Sequence, residues 1–108
     1  MAITAKSLAA GQVPGVQTAL YTVPAATKGY VRTVKLYNTS GSTVTVTVYV
    51  KRSGGTARTV ASPSLATLES VDIVDPDETW VLSTGDTVEA VCTTASVVDY
   101  TILGAEEA

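Results

Sequence analysis

No histidine occurs anywhere in the 108 residues. That removes Ser-His-Asp and Cys-His nucleophile pairs, together with the commonest transition-metal ligand. Cys92 is the single cysteine, so neither an internal disulfide nor a cysteine-built zinc site is available. Folding in a reducing cytoplasm is the simplest reading of that usage. Neither a G-x-x-x-x-G-K-[ST] nor a G-x-G-x-x-G phosphate loop is present. The usual routes to catalysis are therefore closed, and the chain reads as a non-enzyme without cofactor or metal. Phenylalanine is also missing, so a core must come from Val, Leu, Ile, Ala and a few of the five Tyr. Charged residues make up only 16% of the chain, against a usual ~25%. The balance is acidic, at −3 with a pI of about 4.7, which argues against a nucleic-acid surface. No segment approaches the ~20 apolar residues that would span a membrane. The opening "MAITAKSLAAGQ" has one Lys and no apolar run, so it does not read as a secretory signal.

What the chain does contain is a β pattern rich in Val and Thr. The 45% hydrophobic fraction is enough for one domain with a core of its own. "TVTVTVYV", residues 43–50, alternates strictly: Val44, Val46, Val48 and Val50 point one way, Thr43, Thr45, Thr47 and Tyr49 the other. Such a strand, free of proline and charge, needs cover on its edges. Before it, "VQTALYTV" and "YVRTVKLYN" read as strands, and a bulge near Arg32 and Thr33 would turn Val31 to the same side as Val34 and Leu36. "NTSGS", residues 38–42, reads as a hairpin loop pairing the strand before it with the Thr-Val strand after it. "RSGGTA" is a tip leading to a short strand at 58–60. Residues 65–74 read as a strand or a mixed loop and strand, with a short helical turn possible. "DPDE" and "STGD" are turns on either side of "TWVLS". "TVEAVCTT" and "VVDYTILG" read as a closing hairpin across Ala95 and Ser96. The expectation is an all-β chain: an antiparallel β-sandwich or jelly roll of about seven to eight short strands. Residues 1–15 fit no clear period and read as an N-terminal arm or short first strand, ahead of a sandwich domain at 16–108.

Few residues suggest a site. Asp72, Asp75, Asp77 and Glu78 offer carboxylates to a hard cation, but their spacing is not that of a calcium loop, and Asp-Pro-Asp makes a turn unaided. Trp80 reads as core or rim packing and Cys92 as a small buried apolar residue. Lys51, Arg52 and Arg58 flank a flexible tip, where charge guards the end of a sticky strand or meets an acidic partner. Tyr37 shares an exposed face with Lys35 unless a bulge flips the register. The uncharged face of Thr43, Thr45, Thr47 and Tyr49 is the most telling feature, because a solvated face usually carries charge. The candidate protein interface is therefore Thr43, Thr45, Thr47, Tyr49, Lys51, Arg52 and Tyr37.

The run "TALYTVPAATKGYVRTVKLYNTSGSTVTVTVYV", residues 18–50, and the run "DETWVLSTGDTVEAVCTTASVVDYTILGAEE", residues 77–107, resemble small β-sandwich virion proteins of tailed bacteriophages. Ala26 and Asp77 stand where those proteins commonly have Gly, which would reshape two turns. The resemblance implies a head decoration, or cement, protein that binds the major capsid protein lattice and stabilises the shell. It implies a homo-oligomer, a trimer by analogy, made in the host bacterial cytoplasm and placed on the capsid surface. It implies no enzyme, no cofactor and no catalytic residue, and the acidic balance and the lack of a long apolar run add the expectation of no nucleic acid and no membrane. The alternatives are a tail, adaptor or fibre-base component and, from another class, a carbohydrate-binding adhesion module in which Trp80, Asp77 and Glu78 would form the site.

Overall fold

The computed structural model describes residues 3–73 and 79–108. No helix occurs among them. Ten strands follow in order: β1 (Ile3–Gln12), β2 (Thr18–Thr22), β3 (Lys28–Asn38), β4 (Val44–Lys51), β5 (Arg58–Ala61), β6 (Ser64–Leu65), β7 (Ser70–Asp72), β8 (Trp80–Leu82), β9 (Thr87–Cys92) and β10 (Val98–Glu107). They make two antiparallel sheets. The first runs β1-β10-β3, with β7 and β8 end to end along the far side of β3. The second runs β2-β9-β4, with β5 and β6 along the far side of β4. Counting each end-to-end pair as one interrupted strand leaves eight, in the order of a jelly roll.

The inner faces follow from alternation. On β4, Val44, Val46 and Val48 are buried while Thr45, Thr47 and Tyr49 are half-buried on the outer side. On β3 the bulge falls at Arg32: Thr33 pairs with Leu103 and Val31 with Gly104, so Arg32 is the extra residue. Val31, Val34 and Leu36 thereby all reach the core. In place of phenylalanine, the core stacks many valines around Leu36, Leu65, Leu82, Ile102 and Tyr21. Cys92 is buried among them, and Trp80 packs against the cluster from the rim.

Two expected hairpins are not formed. β3 and β4 lie in different sheets, and so do β9 and β10. The reason is cover. β3 and β4 each carry an apolar stretch facing one way, Val31, Val34 and Leu36 on β3 and Val44, Val46 and Val48 on β4. Paired side by side, both faces would lie on one surface of a single sheet and need another layer; placed opposite each other, they cover each other. The loop after β3 therefore crosses from sheet to sheet. Buried Asn38 holds it: Nδ2 donates to the carbonyls of Ser42 (2.8 Å), Leu65 (3.1 Å) and Ala66 (3.1 Å), and Oδ1 accepts from Ser40 N and Oγ. The β9–β10 crossing is tied by Cys92 N to Pro14 O and Ser96 N to Val13 O. Of the 65–74 stretch, residues 65–73 resolve into the end of β6, a turn and β7, and Val74 lies outside the described residues. In that turn Leu68 adopts φ 57° and donates its N–H to Asn38 O.

The edges of the Thr-Val strand are covered within the chain. β9 pairs along one side of β4, and β5 and β6 along the other. Residues 3–12 form strand β1, paired with β10 throughout, with a bulge between Ser7 and Ala9. Leu8 and Ala9 pack on the core and Val13 is completely buried.

Candidate functional site

Among the described residues no group of three His, Cys, Asp or Glu side chains is gathered to hold a metal. Asp75, Asp77 and Glu78 lie outside the described residues. Asp72 stands on β7 directly opposite Lys35. A surface hollow lined by Val50, Arg52, Val60, Trp80, Val81 and Leu82 opens between the sheets. Thr79 also lines it, and the one charged lining residue is already engaged: Arg52 Nη1 donates to Val81 O (3.1 Å) and to Asp86 Oδ2 (2.9 Å).

The outer face of the second sheet is the candidate interface. Alternation on β4 presents Thr45, Thr47, Tyr49 and Lys51 there. Register places Val91, Glu89 and Thr87 of β9 beside Thr47, Tyr49 and Lys51, and Thr59 of β5 beside Tyr49 on the other side. Thr47 Oγ1 is hydrogen-bonded to Ser62 Oγ at 3.0 Å, and Gln17 donates to Glu89 Oε1 at 2.8 Å. Thr45, Thr47, Thr59 and Val91 are short, branched and held on a paired backbone, so that part of the surface is stiff. Little side-chain entropy remains to be lost when another protein covers it. The remaining sequence candidates separate from this face. Thr43 is exposed one residue ahead of β4. Arg52 follows β4 and turns to Asp86. Tyr37 is exposed with Lys35 on the outer face of the other sheet, opposite Asp99 of β10.

Sequence reading missed the polar clasp beneath this end of the sandwich. Asp86, the last residue of the "STGD" turn, is 4% exposed. Its carboxylate accepts from Ser53 N (2.8 Å), Arg52 Nη1 (2.9 Å) and Ser83 N (3.0 Å). The clasp joins the loop after β4 to the turn between β8 and β9. Burial alone would raise the Asp86 carboxyl. The hydrogen bonds from Ser53, Arg52 and Ser83, with the Arg52 charge, outweigh it and hold the group below its ordinary range. The depressed folded value sets the sign: the stabilisation is complete above the unfolded value of about 3.9 and is lost as pH falls through the folded one. Thermal melts from pH 7 downwards should therefore show Tm dropping below about pH 4. In Asp86→Asn, Tm at pH 7 should be lower and that acid step shallower; an unchanged acid step would remove Asp86 from the account.

Two tyrosines make a second link. Tyr21 of β2 donates to Glu106 Oε2 of β10 at 2.6 Å, bridging the sheets, and Tyr30 donates to Glu107 Oε1 at 2.9 Å. Burial, then the Glu106 hydrogen bond and charge, push the Tyr21 hydroxyl upward; for Tyr30 the Glu107 hydrogen bond leads. Both stay protonated as donors across the physiological range. Tyr21 and Tyr30 are thus structural here, which leaves Tyr49 as the tyrosine on the threonine face.

No protein-family model matches this chain, and no curated protein matches it either. Among solved structures, the chain is similar to one in the structure of infectious bursal disease virus, Gt strain, at a TM-score of 0.34 and 12% identity. That similarity covers 97% of this chain and 30% of the viral one, so this chain spans about a third of its length.

Proposed function

We propose that this is a virion structural protein of a tailed bacteriophage, a decoration protein that binds the major capsid protein lattice and stabilises the head shell. Its resemblance to small phage β-sandwich proteins over residues 18–50 and 77–107 points to the class. Jelly rolls serve in capsids, lectins and enzymes alike, so the architecture alone does not choose among them. The observation that carries the reading is the outer face of the second sheet. Thr45, Thr47, Tyr49, Val91 and Thr59 form an uncharged patch on that face, with Glu89 and Lys51 at one end of it, while the other outer face bears Lys35, Asp72 and Asp99. Such a surface suits protein contact, either with the shell or with further copies in an oligomer. Repetition over a symmetric lattice lets weak single contacts hold through avidity.

Copy number in the particle tests the placement. Quantitative mass spectrometry should find one copy per one or a few major capsid subunits; a dozen or fewer per particle would move the protein to the tail or its adaptor. The face itself is tested by Thr45→Glu combined with Thr47→Glu. Two carboxylates brought against a dry contact should weaken binding to expanded heads by about tenfold or more, while circular dichroism stays that of the parent. Undiminished binding would remove this face from the interface.

A further inference from the structure

The charges are sorted along the chain. All seven Lys and Arg lie at or before Arg58, and all ten Asp and Glu at or after Glu69. Residues 1–68 therefore carry +7 and residues 69–108 carry −10, which together give the chain's −3. The topology interleaves these two halves. β10 lies between β1 and β3, and β9 lies between β2 and β4. β7 and β8 pair with β3. Among the described residues, every strand of the acidic half pairs only with strands of the acid-free half. Within the acid-free half the ladders are the short ones of β4 with β5 and β6. Without the C-terminal half, each sheet would lack a central strand. The register adds facing opposite charges, Lys28 to Glu107 and Lys35 to Asp72.

We infer that the chain is built as two complementary pieces, an acid-free acceptor (residues 1–68) and an acidic donor (residues 69–108), and that the donor of one copy can fill the acceptor of a second copy. Like charge keeps acceptor from pairing with acceptor and donor with donor, while opposite charge draws donor to acceptor. The join between the pieces is the turn at Ala66–Glu69. There Leu68 holds a left-handed φ of 57° and is 64% exposed, a conformation a branched side chain resists. Opening that turn releases the strain and lets the donor reach another copy, the low-cost exchange by which identical elements swap between protomers.

Two full-length variants test this. Leu36→Asp places a carboxylate in the core strand of the acceptor, and Ile102→Asp does so in the donor; both positions are completely buried. Each variant alone should lack a cooperative thermal transition by circular dichroism. Refolded together, the intact acceptor of one and the intact donor of the other should restore that transition, with a yield that rises with protein concentration. The yield should fall about threefold or more between ~20 mM and ~0.5 M salt, because screening shortens the reach of the attraction. A mixture that stays the sum of its components at every concentration overturns the exchange. Equal recovery at both salt concentrations overturns the role given to charge. Should either variant fold alone, the refolding rate of the parent chain carries the test of charge: it should slow by a similar factor over the same salt range, and a constant rate counts against the inference.

Discussion

Gly104→Ala is expected to remove a large part of the protein's stability. Gly104 lies in β10, between β1 and β3, where the Arg32 bulge brings β3 inward. A Cβ there would overlap the carbonyl oxygen of Tyr30, and it would come within 2.9 Å of that carbonyl carbon and 3.2 Å of Leu8 Cδ1. The obstacle is backbone. Neither β3 nor β10 can retreat without parting the central ladder of its sheet. Overpacking in a core ordinarily costs about 1–3 kcal/mol, relieved by side-chain motion. With that relief absent, a cost of about 4 kcal/mol or more is expected, a large part of a total stability of roughly 5–15 kcal/mol. Urea denaturation followed by circular dichroism checks it. Gly41→Ala, whose Cβ meets nothing within 4 Å, serves as the matched control and should change little. A native-like midpoint for Gly104→Ala would mean the two strands are not held as closely as described.

Asn38→Ala should be the most damaging single loss of a polar side chain. Its amide nitrogen serves three carbonyls and its oxygen takes two donors from Ser40, with no water-exposed surface to substitute for them. Truncation removes the side-chain donor from the Ser42 and Leu65 carbonyls and the acceptor of Ser40 N, and opens a small void; the Ala66 carbonyl keeps its bond from Glu69 N (3.1 Å). About 3–5 kcal/mol is expected, several unsatisfied groups at roughly 1–3 kcal/mol each with partial relaxation. Ser40→Ala, at the edge of the same network, should cost about 1 kcal/mol. The decisive comparison is between the two urea midpoints. If Asn38→Ala falls no further than Ser40→Ala, the crossing between sheets does not depend on the buried amide.

That amide also shows where local reading stopped. "NTSGS" has the composition of a hairpin loop, and composition cannot separate a hairpin from a crossing of similar length. The difference lies in Leu65 and Ala66, more than 25 residues away, whose carbonyls Asn38 reaches. Asp86 escaped notice for the same reason. In the sequence it is a turn residue, and only the folded chain brings Arg52 and Ser53 onto it. The candidate face fared better. Thr45, Thr47, Tyr49 and Lys51 share one surface because a strand's period of two is a local property. Tyr37 and Arg52 went elsewhere because sheet membership and side-chain partners are not.

Alternation and turn residues were enough to establish an all-β chain, the inward valines of β4 and a bulge near Arg32 and Thr33. These follow from neighbours two to four positions apart. Which strands pair, which sheet each joins and which polar groups are buried were decided only by the packed molecule. Two apolar faces must meet across one core, and backbone groups distant in sequence must find partners once water is excluded. Even the sorting of acid from base along the chain, plain in the letters, acquires its meaning only when β9 and β10 are seen seated between strands of the other half.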